Sequence, residues 1–300
     1  MLTCDDYLTP DTLDAALELV AAHGPNGRIV AGATDTLPWA REGRAGDVHV
    51  PVIVDVGEVT EMKGYARDGN RLRLGANVTF ADFLDDPALR ELLPVMPYVS
   101  VWFADDQIRE QATLAGNIVN ASPAADGTPA MIALDAEVTL ERKNGAGRTC
   151  RTMKLTEFVR GPGQTALAEG ELLTTIECDV LPGYGAAFEK VGHRRSLVIS
   201  TVCVAALVKL NAAADRFEDV RLGLAAVGPV PTRLTECEAH LIGRPVDRAT
   251  IRAAADLADD RIQSRTRHAY RREVLANFIE RAIDDALATL GVTAKETVDA

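Results

Sequence analysis

The sequence predicts an α+β protein organised as two domains. Its 300 residues are 47% hydrophobic and 25% charged, an ordinary globular balance with apolar material enough for more than one core. The first half alternates helical and strand signals around glycine-bearing loops. After about residue 177, three strand-like segments precede a long helical stretch, the grouping of an α+β unit and not of a continuing parallel α/β pattern.

In chain order, residues 11–22 place Leu13, Ala16, Leu17 and Val20 at helical spacing between Thr9-Pro10 and His23-Gly24-Pro25. Two short apolar runs, 28–31 and 51–55, read as buried strands; the first ends at Gly32 and the second closes at Gly57. Residues 71–74 alternate as an exposed strand would, behind an Asp68-Gly69-Asn70 turn. Thr79 is placed to cap a helix over 80–84, and Pro87 to open another. Segments 138–141 and 148–152 flank Asn144-Gly145-Ala146-Gly147, a hairpin signal, and 153–159 reads as a helix. The second half offers strands over 185–191, 200–211 and 217–227, then Ala-, Arg-, Asp- and Leu-rich helices from 248 to about 290. The tail 291–300 is polar and expected to fray.

Charge and special residues exclude several function classes. Against 32 Lys+Arg stand 44 Asp+Glu, a net charge of −12, which repels phosphate backbones and anionic lipid heads. No apolar stretch approaches the ~18 residues of a spanning helix. Met1-Leu2-Thr3-Cys4-Asp5-Asp6 is acidic where a signal peptide is basic, so the expected location is cytoplasmic. Cys4, Cys150, Cys178, Cys203 and Cys237 are odd in number and scattered, with no ligand spacing for zinc or an iron–sulfur cluster. The five histidines are equally dispersed. Redox chemistry here would need an organic cofactor.

Two loops carry the functional signal. One is Ala31-Gly32-Ala33-Thr34-Asp35-Thr36-Leu37-Pro38, directly after a predicted strand. The other is Thr113-Leu114-Ala115-Gly116-Asn117-Ile118, followed by Asn120-Ala121-Ser122-Pro123-Ala124-Ala125-Asp126. Glycine among small neighbours lets successive amides converge on one anion, and Thr34, Thr36, Thr113 and Asn117 add neutral donors. Asp126, an acceptor, suits a ribose hydroxyl. Strand–glycine turns and a Ser122-Pro123 helix start explain the same residues structurally, and no P-loop is present. Gly161-Pro162-Gly163-Gln164-Thr165-Ala166 matches G-x-G-x-x-A but follows a predicted helix, so it reads as a helix-to-strand connection and not a dinucleotide fingerprint.

Taken together, in this order, the two loops resemble the paired FAD motifs of the flavoprotein (medium) subunit of molybdenum hydroxylases, the xanthine dehydrogenase and carbon monoxide dehydrogenase family. The family's first motif, A-G-G-T-D/N-L-x-P, appears as Ala31 to Pro38. Its second, Q-I-R-x-x-x-T-x-G-G-N then A-S-P-x-x-D, appears as Gln107-Ile108-Arg109, Thr113 to Asn117 and Ala121-Ser122-Pro123 leading to Asp126. Trp102-Phe103-Ala104, Phe158-x-x-Gly161-Pro162-Gly163, Glu171-Leu172-Leu173-x-x-Ile176 and Phe188-Glu189-Lys190-x-x-x-Arg194 extend the likeness over nearly the whole chain. Ala33 and Ala115 each replace a family glycine; a methyl group is harmless at negative φ and costly at positive φ, and the second loop is expected to tolerate it less.

The resemblance implies a FAD-binding domain of two α+β subdomains over 1–177 (vanillyl-alcohol-oxidase-like, PCMH type), divided near 57–60. It implies a C-terminal domain of a small antiparallel sheet plus helices over 178–290, with 291–300 as tail. By the same likeness Arg28, Ile29, Val30, Ala31, Gly32, Ala33, Thr34, Asp35 and Thr36, with Thr113, Leu114, Ala115, Gly116 and Asn117, line the pyrophosphate and flavin. Asp126 meets the ribose end, Phe103 packs on the cofactor, and Leu173 and Lys190 lie beside it, the lysine favouring an anionic reduced ring. Electrons would come from two [2Fe–2S] centres on an iron–sulfur subunit, fed by a molybdopterin-binding subunit, and leave FAD for NAD+ or another acceptor. No side chain is then an acid, base, nucleophile or metal ligand; the protein binds and orients. Two alternative functions remain open: a self-contained flavoenzyme of the same fold, with His193 or Tyr184 as proton donor, and an assembly subunit that has lost flavin through Ala33 and Ala115.

Overall fold

A computed structural model describes residues 2–41, 48–145, 147–194, 197–264 and 266–296. Ala146 of the predicted hairpin turn and the end of the tail, 297–300, lie outside the described residues.

The chain opens with a three-stranded parallel sheet, β1 (Leu2–Leu8), β2 (Gly27–Val30) and β3 (Val48–Asp55), in the order β1-β3-β2. Helix α1 (Leu13–His23) buries Leu13, Ala16, Leu17 and Val20, the stripe read from the sequence, and Thr12 caps it by accepting from the Ala15 amide at 3.3 Å. Full burial of a side chain such as Leu17 is worth roughly 2–3 kcal/mol. A short helix, α2 (Thr36–Arg41), follows the first glycine loop.

A second sheet, ordered β4-β5-β10-β6-β7, is built from β4 (Tyr65–Asp68), β5 (Arg71–Gly75), β6 (Glu137–Asn144), β7 (Gly147–Lys154) and β10 (Glu171–Asp179). The expected exposed strand over 71–74 is corrected: β5 is held between β4 and β10, and Leu72 and Leu74 are fully buried. The alternation marked a strand with one covered face. Between β5 and β6 run the short helices α3 (Asp82–Asp85), α4 (Pro87–Leu92), α5 (Val95–Trp102), α6 (Asp106–Arg109), α7 (Leu114–Val119) and α8 (Gly127–Ala133). Thr79 and Asp82 cap α3 reciprocally, each side chain accepting the other's amide at 3.2 and 2.7 Å. The helix expected over 153–159 shrinks to one turn, α9 (Leu155–Phe158), because β7 continues to Lys154. The hairpin β8 (Val159–Gly161) and β9 (Gln164–Thr165) comes next, so the G-x-G-x-x-A match is a β-turn and not a helix-to-strand link.

The C-terminal part is a four-stranded antiparallel sheet of β11 (Gly185–Val191), β12 (Val202–Leu210), β13 (Phe217–Ala225) and β14 (Thr232–Arg233). One face packs on its own helices α10 (Thr235–Leu241), α11 (Arg248–Asp256) and the 22-residue α12 (His268–Thr289), through Val204, Val208, Leu222, Ile279 and Ile283. The other face receives α5 and α8 of the first part. There Gly223 is indispensable: a Cβ on it would lie 1.9 Å from the Pro129 carbonyl oxygen. Among the described residues no helix is long and apolar enough to cross a membrane.

Candidate functional site

The first glycine loop leaves the parallel sheet at the carboxyl ends of its strands, where open parallel sheets offer a ligand crevice. The Val56 amide donates to the Val30 carbonyl at 2.8 Å, fixing where β2 ends. The chain then turns through Gly32 and Ala33 before α2 begins, with the Leu37 amide donating to the Ala33 carbonyl at 3.0 Å. Ala33 has φ +52°, in the left-handed region. The amides of Gly32, Ala33, Thr34 and Asp35 have no protein acceptor among the described residues. Arg28 is exposed at the start of β2, Ile29 and Ala31 are half-buried, and Val30 enters the core.

The second segment, read from the sequence as a loop, is instead a capped helix, α7 over Leu114–Val119. Thr113 Oγ1 accepts from the Gly116 amide at 3.0 Å and starts α7, and the Leu114 amide is tied to the Val78 carbonyl at 2.9 Å. Asn117 Oδ1 accepts from the Gly127 amide at 3.2 Å, anchoring α7 to α8. Ala115 lies in the first turn of α7, buried and outside the left-handed region, whereas Gly116 is exposed. The concern over the two alanines is therefore reversed: the second loop accommodates its methyl group, and the first holds an alanine where φ is positive.

The fold brings the two loops together. Gly32 sits so close to the Gln111 backbone that a Cβ would fall 1.8 Å from its carbonyl oxygen. Asn120 Nδ2 donates to Asp35 Oδ2 at 2.7 Å across 85 positions of sequence. The unpaired amides of the first loop thus border the start of α7. The β8–β9 hairpin adds a wall, its Gly163 amide donating to the Ala121 carbonyl at 3.0 Å.

The remaining sequence-derived residues are placed less simply. Phe103 is half-buried, one ring face stacked on Phe80 with centroids 3.9 Å apart. Arg109 supports this segment by donating to the carbonyls of Ser100 and Phe103 at 3.1 and 3.0 Å, at the C-terminal end of α5. Leu173 is 3% exposed on β10, opposite Leu140, and belongs to the first core. Asp126 and Lys190, expected at separate ends of a cofactor, instead meet each other: Lys190 Nζ donates to Asp126 Oδ2 at 2.6 Å. Two buried charges need compensation in a low dielectric, and each is the other's. Burial pushes the Asp126 carboxyl up, while Lys190 and a 2.6 Å hydrogen bond donated by Ser200 Oγ to Asp126 Oδ1 pull it down. Ser200 was missed from the sequence, as was Phe80; neither carries a motif. Tyr184 donates to Asp219 Oδ2 at 2.6 Å, and burial with this bond drives its phenol well up.

Comparison with known families decides the class. Residues 3–178 match the FAD binding domain in molybdopterin dehydrogenase, and residues 186–286 match the CO dehydrogenase flavoprotein C-terminal domain. The chain belongs to this flavoprotein family. Its cofactor is FAD, and the unpaired amides of the first loop with the neutral hydroxyls of Thr34, Thr36 and Thr113 suit that cofactor's diphosphate. Among similar proteins, the glyceraldehyde dehydrogenase medium chain of Sulfolobus acidocaldarius is 28% identical over 90% of this chain and 93% of its own. The carbon monoxide dehydrogenase medium chain of Hydrogenophaga pseudoflava is 26% identical over 84% of this chain and 85% of its own. A structure of Cu,Mo-CO dehydrogenase in a cyanide-inactivated form superposes with a TM-score of 0.88 at 26% identity, covering 96% of this chain and 99% of that one. Quinoline 2-oxidoreductase from Pseudomonas putida 86 gives 0.85 at 25% identity, covering 95% and 97%. The mixed sheet-and-helix architecture, with a flavoprotein-type C-terminal domain, follows the same family.

Proposed function

We propose that this chain is the electron-transfer subunit of a cytoplasmic, multi-subunit molybdenum hydroxylase of the xanthine dehydrogenase type. In that assembly the chain would hold the FAD through which electrons from [2Fe–2S] centres of an iron–sulfur subunit, fed by a molybdopterin-binding subunit, would reach NAD+ or another acceptor. The flavin supplies the redox chemistry, since it accepts electrons singly and releases them as a pair. Residues 1–177 form the FAD-binding domain and 178–290 the C-terminal domain.

The chain's own residues bind and orient. The amides of Gly32 to Asp35 and the hydroxyls of Thr34 and Thr36 hold one side of the diphosphate; residues 113–117 hold the other, with Gly116 allowing close approach. Arg28 to Ala31 set the first loop on the sheet edge, and Phe103 offers its ring face not covered by Phe80 to a planar part of the cofactor. Leu173 supports the floor from within the core. The observation that carries this reading is the abutment of Gly32 on the Gln111 backbone, which makes one site of two distant loops. Titration of the purified chain with FAD, followed by flavin fluorescence, tests it. Saturable one-to-one uptake by the wild type, lost in Gly32→Ala, is the expected result; equal uptake by both rejects the reading.

A further inference from the structure

Asp126, Lys190 and Ser200 come from three separate segments: the residue preceding α8, strand β11, and the segment leading into β12. Lys190 Nζ donates to Asp126 Oδ2 at 2.6 Å and to the Trp102 carbonyl at 3.3 Å, and Ser200 Oγ donates to Asp126 Oδ1 at 2.6 Å. The Lys190 and Asp126 side chains are only 2% and 7% exposed. Both carboxylate oxygens and the ammonium group are thus engaged inside the protein, across the junction of the two domains. We propose that Asp126, Lys190 and Ser200 form an interdomain latch that holds the Trp102–Ala104 segment in its cofactor-binding position, Lys190 and Ser200 acting there as positioning residues. This rests on the reading that Phe103 packs on the cofactor.

The segment needs such a hold. Trp102 ends α5, and two residues later Ala104 has φ +47°, a left-handed conformation that a non-glycine residue keeps only when its surroundings impose it. Two cations impose it from opposite domains. Arg109 binds the carbonyls of Ser100 and Phe103 from the first domain, and Lys190 binds that of Trp102 from the second. Asp126 Oδ2 accepts from Lys190 and aims it, and Ser200 holds the carboxylate's second oxygen. Because the latch orders one wall of the cofactor site, domain docking and FAD affinity become coupled, and the coupling is reciprocal.

The chain contains two tryptophans, Trp39 and Trp102, so Trp39→Phe leaves Trp102 as a single reporter that needs no cofactor. In that background, FAD-free wild type is compared with Ser200→Ala and with the double variant Asp126→Asn/Lys190→Met. The double replacement avoids leaving one buried charge unpaired, which would threaten folding. The latch predicts a red-shifted Trp102 emission and faster amide exchange over 102–104 in the double variant. FAD affinity falls about tenfold there, within the usual range of coupling, and less in Ser200→Ala. Unchanged emission and exchange overturn the latch; if FAD affinity has meanwhile collapsed, Lys190 and Asp126 are direct ligands. A wild-type chain that takes up no FAD, with Trp102 still displaced in the double variant, supports the latch and rejects the cradle reading instead.

Discussion

The same one-methyl deletion at Ala33 and at Ala115 should move stability in opposite directions. Ala33 sits at φ +52°, where an L-residue is strained by roughly 1–2 kcal/mol relative to glycine. Glycine returns about 0.5–1 kcal/mol of this as extra freedom in the unfolded chain, so Ala33→Gly should stabilise by about 0.5–1 kcal/mol. Ala115 is buried in the first turn of α7 outside the left-handed region. Ala115→Gly loses about 0.8 kcal/mol of methyl burial and up to about 1 kcal/mol of helix propensity. At roughly 2.1 cal/mol/K of unfolding entropy per residue, 1 kcal/mol shifts the midpoint of a 300-residue chain by about 1.5 °C. Thermal unfolding of the FAD-free chain, followed by far-ultraviolet circular dichroism, should show Ala33→Gly about 1 °C above wild type and Ala115→Gly about 2–3 °C below. FAD affinity should hold or rise in the first. Shifts of the same sign, or a lower midpoint for Ala33→Gly, would refute the assignment of strain to the first loop.

Other perturbations follow from the same geometry. Gly32→Ala places a Cβ against the Gln111 carbonyl and must part the loops; FAD affinity should drop more than about tenfold in a fluorescence titration, with a lowered melting midpoint. Arg109→Met strands the carbonyls at the end of α5 and should cost about 1–3 kcal/mol, read as a lower denaturant midpoint with an unchanged slope. Glu189, buried beside Arg281 at 3.2 Å and near Asp285, has its carboxyl pushed from 4.5 up to about 7, mainly by burial. The folded state then holds a proton that the unfolded state releases, so this group's contribution falls as pH rises from about 4.5 to 7 and is flat above. Glu189→Gln should therefore gain on wild type on the order of 1 kcal/mol at pH 8 and little near pH 5, measured by urea unfolding at both.

Local signals carried much of the architecture. The stripe on α1, the Asn144-Gly147 hairpin and strands β11, β12 and β13 are written in periodicity and turn residues. Strand β1 was not legible because Asp5-Asp6 interrupts its apolar residues and none of Leu2–Leu8 is buried, so that it becomes a strand only by parallel pairing with β3. Helix α10 was missed for a related reason: Thr235–Leu241 is short, and Cys237 and Leu241 show as a buried face only against the sheet. At the site, the first glycine segment was legible as a loop, because glycine among small polar residues signals exposed amides; the second was not, since Thr113–Ile118 is the cap and body of helix α7, its amides engaged by Thr113 and Val78. The sign of φ at Ala33 was not, since it depends on how the loop is pulled toward Gln111. Nor was the pairing of Asp126 with Lys190, 64 positions apart, which exists only once α8 packs on the C-terminal sheet.

A crystal structure of the FAD-loaded chain tests the central claim most directly. The account predicts the cofactor's two phosphates between the amides of Gly32 to Asp35 and the backbone of residues 113–117, with both loops in contact with them. Phosphates gripped by only one of these loops, or bound on another face of the molecule, would contradict it.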